Sequence, residues 1–223
     1  MTRFHNGEPR IEQVLQRLYV HADRDGEALR RAREASTRLP NAPTPQQISD
    51  LCADAALPVR PEVGQFLYVL VRALRPTTVV EFGTSFGVSL IYLASALRDN
   101  EVGAVTGSEM NRDKVRAARV NLEETGLAPY ATILEGDARE TLTNLPRPID
   151  FLLLDGWKEA YLQMLSQLEP RLAPNAMVVA DNLSMLSPEY SQYVRSPENG
   201  YVSTSLPLGD GIEVSVFTGR RQR

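Results

Sequence analysis

Cysteine and histidine are scarce in this sequence, and that scarcity excludes several kinds of site. A single cysteine, Cys52, rules out an internal disulfide, and its place in an apolar pattern predicts a small packed residue rather than an exposed thiol. The two histidines, His5 and His21, have no second ligand at the spacing of a metal site. We therefore interpret both histidines as non-catalytic.

Excess positive charge and membrane-length apolar runs are also absent. The formal net charge is -4 and the sequence pI is about 5.4, whereas proteins that bind nucleic acid through its phosphates are usually basic. No apolar run approaches the length of a membrane span, and no apolar targeting region precedes the first helical pattern. We therefore expect a cytoplasmic protein with neither a nucleic-acid nor a membrane partner.

A regular alternation of strand and helix patterns is what the sequence does contain. Strand patterns at 78–82, 104–108, 131–135, 149–154 and 176–180 alternate with helix patterns at 87–97, 112–124, 138–144 and 159–172. Such alternation indicates βαβ units and a parallel sheet. Segments 201–206 and 212–218 alternate apolar and polar residues around 207–211, which predicts an antiparallel hairpin. The predicted fold is α/β: a Rossmann-like, doubly wound, mostly parallel seven-stranded sheet with an antiparallel C-terminal hairpin.

Extra N-terminal helices precede this alternation. Helical patterns begin at Pro9 and after the N-cap candidate Thr44, and the region 23–38 between them is rich in arginine. The arginines indicate a solvated helix face, or else a subunit contact or a cap over the active site. A further amphipathic helix over 62–74 leads into the first strand. We predict a helical extension over residues 1–58 and a ligand-binding domain over residues 59–223.

The turn after the first strand is the predicted ligand corner. Glu81 closes an apolar run, and Gly83 and Gly87 follow before the next helix, so the backbone there can approach a ligand closely. Ser85 replaces the middle glycine of the dinucleotide fingerprint, which favours an adenosine ligand without phosphates. Glu109, after the second strand, is placed to accept hydrogen bonds from both ribose hydroxyls.

Acidic residues follow all five parallel strands. Any one of them alone is as well explained by a helix cap or a solvated loop. As a set they face one sheet edge, where ligands bind in open α/β sheets. These residues are Glu81, Glu109, Asp137, Asp155 and Asp181.

The last two of these carboxylates suggest a metal site. If their strands are neighbours, Asp155, Asp181 and Asn182 can converge, and their oxygens suit Mg²⁺. Lys158 can reach the same place, where a bound cation would help it lose its proton and act as a general base. The alternative for Lys158 is a salt bridge with Glu159 or Glu81. Trp157 is either a core residue or an aromatic wall of a substrate pocket.

From about Val59 onwards, the sequence resembles the class I S-adenosylmethionine-dependent, cation-dependent O-methyltransferases, which include the catechol and caffeoyl-CoA O-methyltransferases. The motifs that carry the resemblance are Leu-Asp-Gly-Trp-Lys-Glu-Ala-Tyr at 154–161, which is closer to the catechol type, and Asp-Asn at 181–182. The resemblance implies S-adenosylmethionine and Mg²⁺ as cofactors and a small hydroxylated, phenolic or catechol-like acceptor. It further implies direct methyl transfer to a hydroxyl, and a homodimer.

The resemblance also implies roles for individual residues. Glu81 would orient the methionine part of the cofactor, and Glu109 would hold the ribose. Lys158 would be the catalytic base. Gly83 and Ser89 would lie at the amino-acid end of the cofactor, with Val59 packing nearby. Asp137, Ala138 and Trp157 would face the adenine. Asp155 would contact both cofactor and metal, and Asp181 and Asn182 would bind the metal.

Two positions depart from the catechol enzyme. Gly156 stands where that enzyme has histidine, and Thr204 stands where it has a glutamate near the second hydroxyl of the substrate. The resemblance therefore does not identify the acceptor. Two other hypotheses stay open: a nucleotide-dependent oxidoreductase on a similar sheet, which the broken glycine fingerprint disfavours, and a methyltransferase-like binding protein without turnover, which the intact metal set disfavours.

Overall fold

The fold was analysed in a computed structural model that describes residues 8–145, 148–186 and 188–219. The strands are β1 (Thr78–Phe82), β2 (Ala104–Glu109), β3 (Ala131–Glu135), β4 (Ile149–Leu154), β5 (Leu172–Asp181), β6 (Tyr201–Leu206) and β7 (Ile212–Phe217). The helices are α1 (Pro9–Ala22), α2 (Asp25–Ser36), α3 (Pro45–Leu51), α4 (Pro61–Leu74), α5 (Val88–Asn100), α6 (Arg112–Glu124), α7 (Ala138–Thr141), α8 (Tyr161–Leu168) and α9 (Pro188–Arg195).

The seven strands form one sheet in the order β3-β2-β1-β4-β5-β7-β6. The first five strands in this order are parallel, whereas β7 runs antiparallel to β5 and β6 antiparallel to β7. This confirms the predicted doubly wound sheet with an antiparallel hairpin. The chain reverses its winding direction between β1 and β4, which is where such sheets bind ligands.

Alternate residues of the central strands point into two separate cores. Val79, Phe151 and Leu153 face the core that α4, α5 and α6 cover, whereas Val80 and Leu152 face the core that α7, α8 and α9 cover. Because both faces are covered, these strands read as continuous apolar runs rather than as alternating ones. Helix α5 is buried along most of its length.

Several element boundaries differ from the sequence predictions. The helix predicted over 159–172 begins as a 3₁₀ turn at Lys158–Ala160, and its α-helical part ends at Leu168 because another 3₁₀ turn, Glu169–Arg171, contains a proline. The helix predicted over 138–144 ends at Thr141. Strand β5 begins at Leu172, four residues earlier than predicted, and α9 was not predicted.

The N-terminal helices pack against the sheet-covering helices. The guanidinium of Arg17 in α1 donates to both carboxylate oxygens of Glu124 (3.0 and 2.7 Å) and to the amide oxygen of Asn121 (2.8 Å), both in α6. Cys52 is buried, which confirms its predicted packing role, and burial raises the pKa of its thiol. His5 lies outside the described residues. Among the described residues, no helix is both long and apolar enough to cross a membrane.

Candidate active site

The turn between β1 and α5 lies where the strand order reverses. The backbone N–H groups of Gly83 and Thr84 both donate to the carbonyl of Ser108, at the end of β2 (3.2 and 3.1 Å). On the other side, the N–H of Asp155 donates to the carbonyl of Phe82 (2.9 Å). The turn is therefore fixed between its two neighbouring strands.

Gly83 and Gly156 let the two strand-end loops approach closely. A Cβ atom at Gly83 would lie 2.5 Å from the Cα of Gly156 and 2.6 Å from the carbonyl oxygen of Asp155, and Gly83 has a φ of +94°. A Cβ atom at Gly156 would lie 2.5 to 2.9 Å from the ring of Phe82. The departure from histidine at position 156 therefore has a local reason, because the ring of Phe82 fills the space that a side chain would need.

Glu81 is a fully buried carboxylate beside this turn. The hydroxyl of Thr84 donates to its Oε2 (2.7 Å), whereas Oε1 has no hydrogen-bond partner among the described residues. Burial raises the pKa of Glu81 to about 7, while the nearby hydroxyls of Ser89 and Thr84 favour the charged form. A buried carboxylate with a free oxygen suits a cationic donor such as an ammonium group.

Glu109 is held by the backbone around it. Its Oε2 accepts from the N–H of Ser85 (2.8 Å) and its Oε1 accepts from the N–H of Asn111 (2.7 Å). A carboxylate has about four acceptor positions, so both oxygens can still accept from ribose hydroxyls. Val59, two residues before α4, is buried, and its carbonyl accepts from the hydroxyl of Tyr19 (3.1 Å).

The three residues assigned to adenine occupy different environments. Asp137 caps α7 by accepting from the N–H of Arg139 (2.9 Å). Its carboxylate also pairs with the guanidinium of Arg139, and this ion pair holds the pKa of Asp137 below its usual value. Asp137 is therefore a helix cap, which was one of the two interpretations that the sequence allowed. Ala138 is buried, and Trp157 is half-buried just before the 3₁₀ turn.

Lys158 links the ends of β4 and β5. Its Nζ lies 3.3 Å from Oδ1 of Asp155 and 2.7 Å from the hydroxyl of Tyr161, and that hydroxyl donates to the carbonyl of Asp181 (3.3 Å). Tyr161 was not singled out from the sequence. The available signal was its position three residues after Lys158, which places both side chains on one helical face.

Two carboxylates are buried together at this point. Burial raises the pKa of Asp155, and the charges of Asp181 and Glu81 act in the same direction, whereas Lys158 opposes them. Burial also raises the pKa of Asp181, whose Oδ1 has no hydrogen-bond partner among the described residues. Asn182 follows in the left-handed conformation, with a φ of +59°. No group of three His, Cys, Asp or Glu residues suited to a metal occurs in the described part of the chain.

The hairpin turn closes one side of this region. The N–H of Leu183 donates to the carbonyl of Gly211 (2.7 Å), which joins the turn to the segment after Asn182. The guanidinium of Arg60, the residue before α4, pairs with Asp210 in the same hairpin turn (3.3 Å). Neither residue was predicted, because they are 150 positions apart in the sequence. Thr204 lies on β6, at the edge of the sheet, and is exposed.

Comparison with known proteins gives a consistent result. A family model described as a methyltransferase domain matches residues 80–183. The catechol O-methyltransferase of Mycobacterium tuberculosis is 33% identical over 139 residues, which are 60% of this chain and 61% of that protein, so the match spans about three fifths of its length. The mouse catechol O-methyltransferase is 25% identical over 94% of this chain and 84% of its own. The crystal structure of an O-methyltransferase from Bacillus cereus in complex with SAH shares the fold, with a TM-score of 0.64 and 20% identity over 90% of this chain and 99% of its own.

Proposed function

We propose that the chain is a member of the class I S-adenosylmethionine-dependent O-methyltransferase family, and we infer the reaction from that premise. The reaction is transfer of a methyl group from S-adenosylmethionine to a hydroxyl of a small acceptor. The observation that carries the proposal is the buried set of Asp155, Lys158, Tyr161 and Asp181, because it lies beside the turn where the sheet binds ligands.

The cofactor assignment uses the two carboxylates of β1 and β2. Glu81, with its free buried oxygen, receives the ammonium group of the methionine part, and Gly83 gives the backbone access to it. Glu109 receives the ribose hydroxyls on its remaining lone pairs. Ser89 and Val59 border the amino-acid end, and Ala138, Trp157 and Asp137 border the adenine. The SAH in the Bacillus cereus structure, which shares the fold, supports this cofactor.

The donor set fits a divalent cation such as Mg²⁺. Asp155, Asp181 and Asn182 supply oxygen donors, which hard cations prefer, and the unpartnered Oδ1 of Asp181 lacks the compensation that a buried charge needs. These three residues would hold the ion, with water or substrate oxygens completing its coordination. Bound there, a divalent cation favours the oxyanion of an acceptor hydroxyl.

Lys158 is the proposed general base. Its Nζ is held by Asp155 and Tyr161 at a site that is largely closed to solvent, with only 17% of the side chain exposed. In its unprotonated form, Nζ would accept the hydroxyl proton of the acceptor, so that this oxygen could bond to the methyl carbon as the bond between that carbon and the sulfonium sulfur breaks, leaving SAH. Tyr161 fixes the position of Nζ, so that Nζ and the hydroxyl of the methyl acceptor meet in a defined geometry.

The acceptor is proposed to be phenolic or catechol-like. The catechol O-methyltransferases among the relatives support this, whereas Thr204 on the exposed edge strand provides no carboxylate for a second hydroxyl. The homodimer, the cytoplasmic location and the division of the chain at residue 58 stay predictions.

A methyl-transfer screen tests the reaction. Wild-type protein is incubated with S-adenosylmethionine and a panel of phenols and vicinal diols, with and without EDTA, and Lys158→Met serves as the base-free control. We expect turnover that EDTA abolishes and that the variant lowers strongly. Turnover that survives chelation would refute the metal assignment alone. Binding of NAD without binding of S-adenosylmethionine, measured by calorimetry, would refute the reaction itself.

A further inference from the structure

The loop between α3 and α4 reaches the cofactor turn from the N-terminal side. The hydroxyl of Ser85, inside the turn, donates to the carbonyl of Ala56 in this loop (2.6 Å). Val59, the first residue of the proposed cofactor site, follows three positions later. The position of the loop therefore sets the position of one side of the cofactor site.

Two residues at the contact between Ser85 and Ala56 have an uncommon backbone conformation: Ser85 itself and Leu57, which follows Ala56. Leu57 has a φ of +46° and Ser85 has a φ of +47°. The left-handed region is disfavoured for residues other than glycine, asparagine and aspartate, and leucine persists there only when its surroundings fix it. Something must therefore hold Leu57 in place.

Asp25, the first residue of α2, provides that restraint. Its Oδ1 accepts from the N–H of Ala56 and its Oδ2 accepts from the N–H of Leu57, each at 2.7 Å. Hydrogen bonds from backbone N–H groups to a carboxylate are among the stronger ones in proteins. One side chain thus fixes two consecutive peptide groups, on both sides of Ala56.

The same contacts continue to the proposed ribose carboxylate. The N–H of Ser85 donates to Glu109 (2.8 Å), so a chain of hydrogen bonds runs from Asp25 through Ala56 and Ser85 to Glu109. The buried ammonium group of Lys114 interacts favourably with both carboxylates of this chain, Asp25 and Glu109. The N-terminal extension is therefore connected to the proposed cofactor site by direct contacts.

We propose that Asp25 is a positioning residue for the cofactor: it holds the 55–59 loop against the glycine turn, so that the helical extension supplies one wall of the cofactor site. This inference rests on the proposed function. Without the carboxylate, Leu57 can leave the left-handed conformation, and the carbonyl of Ala56 then withdraws from Ser85. The binding-competent fraction of the protein falls, and the apparent affinity for the cofactor falls by the same factor.

The test compares two substitutions that change the net charge equally. Asp25→Asn removes the restraining carboxylate, whereas Asp54→Asn removes a carboxylate from a side chain that is 81% exposed and lies just before residues 55–59 of the same loop. SAH affinity is measured by titration calorimetry, and KM and kcat are measured separately for each substrate. We expect Asp25→Asn to weaken SAH binding about tenfold and to raise KM for S-adenosylmethionine by a similar factor. The kcat at saturating cofactor and the KM for the acceptor should stay unchanged, and Asp54→Asn should behave as wild type.

Amide hydrogen exchange gives a second readout that does not depend on activity. In Asp25→Asn, the amides of Ala56 and Leu57 should exchange faster, while those of the central strands should not. If Asp25→Asn fails to fold, Ser85→Ala replaces it, because that change removes the same loop contact from the other side.

The outcomes separate this inference from the proposed function. Wild-type binding of SAH together with equal binding by Asp25→Asn would overturn the positioning role and leave the reaction standing. A fall in kcat with no change in cofactor affinity would overturn it as well. If the wild-type protein does not bind SAH at all, the proposed function fails and this inference fails with it.

Discussion

Replacing Gly83 by alanine tests the central geometric claim, that the cofactor turn and the loop after β4 touch through their backbones. The new Cβ atom would lie 2.5 Å from the Cα of Gly156 and 2.6 Å from its N. Backbone atoms cannot rotate away as the end of a flexible side chain can, so the two loops must separate. Because the proposed ligands of cofactor and metal follow both strands, that separation should affect binding as well as stability.

The magnitude has two parts. Gly83 has a φ of +94°, and a left-handed conformation costs a residue with a Cβ atom about 1–2 kcal/mol. Overpacking of a tightly packed site costs a further amount of about 1–3 kcal/mol. We therefore expect Gly83→Ala to lower the free energy of unfolding by about 2–5 kcal/mol.

Gly126→Ala is the matched control. Gly126 also has a positive φ, +71°, but a Cβ atom there would meet no heavy atom within 4 Å. This variant should show only the conformational cost of about 1–2 kcal/mol and should bind SAH like wild type. Urea unfolding and SAH calorimetry on both variants measure the difference. Equal destabilisation by the two substitutions, or wild-type SAH affinity in Gly83→Ala, would refute the close backbone contact.

Three further predictions concern charged groups. Burial raises the pKa of Glu81 from 4.5 to about 7, so the folded state holds the proton more tightly and the free energy of unfolding should fall by about 3 kcal/mol as the pH rises between these values. Glu81→Gln should remove this part of the pH dependence and leave the part that comes from Asp155 and Asp181, whose pKa values burial also raises. Unfolding curves of wild type and variant at pH 4.5 and pH 8 will reveal the difference. Arg195→Met should destabilise the protein by about 2 kcal/mol, because it leaves the fully buried Glu213 without its cationic partner, and the double variant with Glu213→Gln should recover part of that loss in urea unfolding. Lys158→Met should lower kcat by about 10²–10⁴-fold while SAH affinity stays unchanged, and equal losses in both quantities would contradict the role as base.

The strand and helix order was readable from the sequence because local patterns determine it. The parallel strands are buried on both faces and appear as apolar runs, and their flanking helices appear as amphipathic repeats. Helix α9 was missed because only Tyr190 and Val194 of its eight residues are buried, which is too few to produce a recognisable apolar repeat. The first residues of β5 were missed because Asn175, which has a φ of +67°, interrupts its apolar run.

The candidate site was only partly readable. Asp155, Lys158 and Asp181 stand at strand ends or one helical turn beyond, so their spacing in the sequence already places them together. Asp25 and Asp210 gave no such signal. Each contacts a segment that is distant in the sequence, at separations of 31 and 150 residues, and no local pattern encodes such a contact.

The ion pair between Arg17 and Glu124 has a consequence for the order of folding. The two residues are 107 positions apart, and Arg60 and Asp210 are 150 apart. Helix α1 therefore leaves the ribosome long before α6 exists, and its apolar stripe stays exposed until that partner has formed. Helix α1 should therefore dock only after α6 has been synthesised, and until then the exposed stripe makes the nascent chain prone to aggregation.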